Sequence, residues 1–174
     1  MSNNNENQDS EPIVSLRGLT IGFDHKNPLV KVPDLTIFPG EIVAITGASG
    51  VGKTTLLRTI AGLVSPISGT LEVCNTTLPD SPPRGSIGYI PQRLGLIHHA
   101  SVKHNVMLGA RAGHTNPHAI TPSSESISRA NDAIERMSLT DKIDEPIRRL
   151  SGGQQRRVAT ARSLAQSPRL IMAD

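Results

Sequence analysis

Tryptophan is absent from this chain, tyrosine occurs once and phenylalanine twice. That scarcity leaves a packing role open for each of the few aromatic side chains. Cys74 is the single cysteine, which excludes an intrachain disulfide and permits a reducing cytoplasm. No apolar run reaches the length of a membrane span, and the polar start Met1 to Ser10 lacks the hydrophobic centre of a signal peptide. If this protein meets a membrane, other subunits must take it there. The net charge of +3 is only mildly basic, and the arginines scatter rather than form a stripe, so nucleic-acid binding is not indicated. At 174 residues the chain is long enough for one domain with a sizeable core.

What is present is concentrated in two short strings. The first is Gly47-Ala48-Ser49-Gly50-Val51-Gly52-Lys53-Thr54, followed by Thr55, and it fits the phosphate-loop pattern Gly-x4-Gly-Lys-[Ser/Thr]. Gly47 and Gly52 let the backbone turn tightly and approach phosphate oxygens without a Cβ in the way, so that successive N–H groups form an anion nest. Lys53 supplies a mobile positive charge for the β- and γ-phosphates of a nucleotide, and the Thr54 hydroxyl suits a Mg²⁺ that bridges the same oxygens. The β-branched run Glu41 to Thr46 predicts a buried parallel strand ahead of the loop, and Thr55 to Ala61 predicts a helix after it.

The second string is Leu150-Ser151-Gly152-Gly153-Gln154-Gln155-Arg156-Arg157. Ser151 reads as an N-cap, and Val158, Ala161 and Ala165 recur at helical spacing until Pro168 closes the segment. Gly152 and Gly153 would expose backbone N–H groups that suit an anion. An ordinary capped helix with Arg156, Arg157 and Arg162 on a solvated face satisfies the same spacing.

Between and around these strings, residues 1–12 read as a disordered tail. Val14 to Thr36 predicts antiparallel strands joined by the turn-rich Asp24 to Pro28, with a further strand at Gly69 to Val73. Residues of about 93–165 predict a helical insert. It contains a loop from Ala112 to Ser124 and a helix with Ile127, Ala130, Ile134 and Met137 on one face. His98, His99, His104, His114 and His118 lack the Glu-flanked helical spacing or the Cys partner of a zinc site, so no structural metal is assigned to them. Leu96, Ile97, Val102, Val106 and Met107 are mostly core candidates.

Leu150 to Arg157 resembles the signature motif of the ATP-binding cassette family, and further motifs fall in that family's order. Arg169 to Asp174 resembles its Walker B strand, whose final Asp holds the Mg²⁺ shell, and Tyr89-Ile90-Pro91-Gln92 resembles its Q-loop. Phe23 lies ahead of Pro39-Gly40-Glu41 at about the separation of the family's adenine-stacking aromatic; a core role remains open for it. The likeness covers Val14 to Asp174 and implies an α/β P-loop NTPase core, with a parallel sheet and flanking helices. To this it adds antiparallel N-terminal strands and a helical insert, in a nucleotide-binding domain spanning 13–174.

The resemblance implies ATP and Mg²⁺ as cofactors, with Lys53, Gln92 and Asp174 as catalytic residues and Thr54, Gln92 and Asp174 around the metal. It also implies a two-chain mechanism in which Ser151 to Gln154 of a second ATP-binding subunit, identical or not, covers the nucleotide. Transmembrane permease subunits would hold the pair at the inner face of the membrane, docking near Leu94 to Met107. Asn105 to Ala110 and the paired glutamines 154–155 look like the importer branch. The family's catalytic Glu, partner-contacting loop and γ-phosphate His would all follow Asp174, as would further core strands. The expectation is therefore a fragment of a longer ATPase, with hydrolysis by these 174 residues alone at background. A truncated nucleotide-binding relic and a soluble, non-transport cassette ATPase are the alternatives.

Overall fold

The computed structural model describes residues 11–22, 28–112 and 121–174. They form two units that divide between Pro83 and Arg84.

The first unit is built on an antiparallel sheet. Strand β1 (Val14–Ile21) pairs with β2 (Val30–Lys31), β3 (Leu35–Ile37) and β4 (Ser68–Val73), and β4 also pairs with β5 (Thr76–Thr77). Val14 and Leu16 are buried, but the next buried positions are Leu19 and Ile21, a step of three where simple alternation gives two. A bulge between Arg17 and Thr20 absorbs the extra residue. It brings Gly18 so close to Gly69 that a Cβ on Gly69 would lie 2.4 Å from the Gly18 carbonyl oxygen. Only glycine fits there. Helix α1 (Lys53–Ile60) contributes Leu56 and Ile60 to the buried aliphatic set.

The run 41–46 departs from the sequence expectation. It forms no regular element and sits in no ladder, with Ile42 99% exposed and Val43 45%. β-branched composition favours an extended backbone, whereas a parallel strand exists only where neighbours accept its N–H and C=O groups. No described strand pairs with it. Helix α1 also starts two residues earlier than predicted, because Gly52 at φ 107° is its N-cap.

The second unit places two parallel strands, β6 (Ile87–Ile90) and β7 (Leu170–Ala173), beside helices α2 (Val102–Ala112), α3 (Ser124–Arg136) and α4 (Gly152–Leu164). Val102, Val106, Ala130, Ile134, Leu139, Ile147 and Val158 form the centre of its core. Ile127, expected on the apolar face of α3, is instead 40% exposed; Ala130 and Ile134 fill that face. Ile97 likewise lies outside the core at 46% exposure, whereas Leu96, Val102 and Val106 are buried. His98, His99 and His104 are exposed, and His114 and His118 lie outside the described residues, as do most of the tail and the loop.

Candidate functional site

The glycine-rich loop connects the run 41–46 to α1. Gly47, Gly50 and Gly52 have φ of 152°, 79° and 107°, backbone that L side chains rarely adopt, so Gly50 joins Gly47 and Gly52 in setting the turn. Lys53 curls back over the loop, its ammonium donating to the carbonyls of Gly47 at 2.9 Å and Ala48 at 2.8 Å. The N-terminus of α1 has no side-chain cap and no acidic residue in its first turn. Ammonium, uncapped helical N–H groups and an exposed Thr54 therefore meet in one loop, a donor set that suits phosphate oxygens and, at Thr54, a hard cation. Thr55 is buried in the helix. Phe23 lies outside the described residues.

Gln92 and Asp174 share a different setting. In β6 and β7 the parallel register pairs Ile90 with Ala173, and the Asp174 N–H continues the ladder to the Ile90 carbonyl at 3.0 Å. Both residues are exposed at the carboxyl end of this strand pair, where ligand sites of parallel sheets lie. The strand pair thus places both at the same strand end.

The second glycine string opens α4. Ser151 and Gln154 form a reciprocal capping box: the Ser151 N–H donates to Gln154 Oε1 at 2.8 Å, and the Gln154 N–H donates to Ser151 Oγ at 3.3 Å. Ser151, Gly152 and Gly153 are exposed, and a Cβ on either glycine would meet nothing within 4 Å. The helix start is thus fixed from behind and open in front. Gln155 and Arg157 point back into the unit, donating to the carbonyls of Leu150 and of Met137 respectively, so a purely solvated basic face does not describe this helix.

Asn105 was not singled out as a site residue, yet it anchors the segment that follows Gln92. Fully buried on α2, it accepts from the Ile97 N–H at 2.8 Å and donates to the carbonyls of Ile97 and Ser101 at 3.1 and 3.0 Å. The sequence signal was an amide inside the apolar stripe of Val102, Val106 and Ala110. Asn105→Leu orphans the Ile97 N–H, while both carbonyls keep backbone donors. A stability loss of about 1–2 kcal/mol is expected in urea unfolding, the cost of one part-buried unsatisfied donor plus lost side-chain bonds.

Among known proteins, the putative 2-aminoethylphosphonate import ATP-binding protein PhnT of Salmonella paratyphi A is 37% identical over 162 residues, 92% of this chain and 42% of that protein. The spermidine/putrescine import ATP-binding protein PotA of Salmonella typhimurium is 36% identical over 172 residues, 98% of this chain and 44% of that protein. The chain thus spans less than half the length of either. Of solved structures, cbiO1 from Clostridium perfringens, part of the ABC transporter complex cbiONQ, superposes with a TM-score of 0.78 at 29% identity over 94% of this chain and 65% of its own. The ATP-binding cassette MJ0796, a dimer bound to ADP and Pi, gives 0.75 at 31% identity over 92% of this chain and 73% of its own. These superpositions assign the P-loop NTPase fold. Because the family model described as ABC transporter matches residues 30–174, which include the phosphate loop, Gln92, the capped glycine helix and Asp174, the chain belongs to the ABC transporter family of ATPases.

Proposed function

We propose that this chain is the nucleotide-binding part of an importer's ATP-binding subunit, which binds and hydrolyses ATP to drive permease subunits. The observation that carries the reading is the phosphate loop with the Lys53 ammonium folded over it. Lys53 would neutralise the β- and γ-phosphates, with the N–H groups of residues 47–55 around them. Thr54, Gln92 and Asp174 would hold Mg²⁺, whose chemistry when bound is charge neutralisation at the phosphate oxygens. Gln92 would orient water, and Phe23 would stack on adenine.

The likeness to proteins named for import supports the importer assignment. Relatives named for aminoethylphosphonate and for spermidine/putrescine match almost equally well, so the proposal names no cargo. Among the described residues no helix is long and apolar enough to cross a membrane, which fits delivery to the inner face of the membrane by permease partners. The domain reading, nucleotide-binding from 13 to 174 with a helical subdomain near 93–165, belongs to the same proposal.

Ser151 to Gln154 would close on the nucleotide of a second ATP-binding subunit. Gly153→Asp tests this, because the fold has room for the side chain and a carboxylate in the first turn of a helix is favourable. In the complete protein the variant should bind MgATP normally and melt no lower than wild type. The non-hydrolysable analogue should no longer convert it to a dimer in light scattering. A dimer of Gly153→Asp at wild-type nucleotide concentrations would overturn the signature assignment.

A further inference from the structure

Arg162 lies on α4, ten residues beyond its first residue, in a position for which a solvated basic face was one of two sequence readings. Its guanidinium instead spans two successive carbonyls of the loop after β6, donating to Leu94 O and Gly95 O, each at 2.6 Å. That loop is tightly wound. Leu94 and Gly95 have φ of 57° and 58°, the Leu94 N–H donates to Pro91 O at 2.8 Å, and the Gly95 N–H donates to Arg93 O at 2.6 Å. Gln92 sits inside this winding. A leucine held at positive φ is strained backbone, which persists only where surrounding contacts over-determine it.

The stem of Arg162 is fixed as firmly as its head. Gly109 of α2 packs onto it so closely that a Cβ there would lie 1.9 Å from Arg162 O and 3.0 Å from its Cγ. Burial lowers the pKa of the guanidinium, yet a group that titrates so far above neutrality stays charged, and the two carbonyl dipoles replace the water it has lost. One residue thus ties the serine-capped helix α4 to the Gln92 loop through its planar fork, while its backbone and stem pack on helix α2.

We infer that Arg162 is a positioning residue that clasps the Gln92 loop to the helix whose start carries Ser151 to Gln154, so that any movement of one is transmitted to the other. The inference rests on the proposed role of Gln92, and its test separates the two. The chain has no tryptophan, so Arg93→Trp places a single reporter in the loop at an exposed position. Acrylamide quenching of this reporter without nucleotide reads the clasp alone. Arg162→Met should raise the quenching constant about twofold or more through local opening, while Arg129→Met, which removes a different side-chain bond to a carbonyl in the same unit, should not.

Arg162→Lys keeps the stem and charge but offers one point donor where a fork spans two carbonyls, so an intermediate quenching constant is expected; it also serves as the readout if Arg162→Met does not fold. In the complete protein, Arg162→Met should lower kcat about tenfold and leave the KM for MgATP within about twofold, since the side chain positions the loop without holding nucleotide. Unchanged quenching in a folded Arg162 variant, or an equal rise in Arg129→Met, would overturn the clasp. A reporter with Arg162 intact that fails to respond to MgATP would instead count against the role of Gln92, and leave the nucleotide-free quenching result standing.

Discussion

Replacing Lys53 with alanine is expected to weaken MgATP binding by about 10- to 100-fold, the equivalent of the ~1.5–3 kcal/mol typical of a hydrogen bond to a charged group. The ammonium has no charged substitute in the loop, where the other donors are backbone N–H groups and the Ser49 and Thr54 hydroxyls. Its bonds to Gly47 O and Ala48 O show that the side chain already lies over the loop, so little reordering is needed before it meets phosphate. Calorimetric titration of wild type and variant, with melting curves to show that both are folded, measures the difference. Lys53→Arg should not restore wild-type affinity, because a compact point charge on a flexible stem is being replaced by a broader planar fork. Equal affinities for wild type and Lys53→Ala would sink the phosphate-loop assignment.

The largest effect on stability is expected at Gly109, where a single methyl group is too much. In Gly109→Ala the new Cβ would stand 1.9 Å from Arg162 O, an overlap with backbone that no rotamer change relieves. The alanine gains about 1 kcal/mol of helix propensity over glycine. Separating α2 from α4 costs more, about 3 kcal/mol or above, because the helices share Val102, Val106, Val158 and Ala161 in one close-packed core. Gly152→Ala is the matched control: it has open space around its Cβ, and the same propensity gain should leave it at or slightly above wild-type stability. Thermal unfolding followed by far-ultraviolet circular dichroism distinguishes the two, and a Gly109→Ala variant as stable as wild type would mean that the helices are not packed as described.

Much of the local structure was legible because it is encoded by neighbours in sequence. Ser151 and Gln154 satisfy each other's backbone groups across one helical turn, and Gly52 ends its loop at a φ only glycine takes readily. The antiparallel strands around β1 and the helix carrying Ala130 and Ile134 followed from periodicity. Other features depended on partners far away in the chain. Residues 41–46 have the composition of a buried strand but lie in no ladder, since ladder bonds belong to pairs of strands. Ile127 has the right spacing for the α3 core face but falls at its edge, because the width of the buried stripe is set by what packs on it.

By itself the sequence determined the local motifs: a lysine and threonine after a glycine-rich turn, a capped glycine helix, and an aspartate ending an apolar strand. Spacing along the backbone suffices for such motifs, since each is closed by bonds within a few residues. Tertiary structure alone decided how these pieces are held. The register of β6 with β7 sets the loop that carries Gln92 and the residue Asp174 at the same end of one strand pair. Asn105 became the buried anchor of the segment at Ile97 and Ser101, and Arg162, 67 residues from Gly95, turned from an apparent surface charge into a clasp. The physical reason is that a polar side chain's role is fixed by the partner that replaces its water, and these partners are brought within reach only when the helices pack.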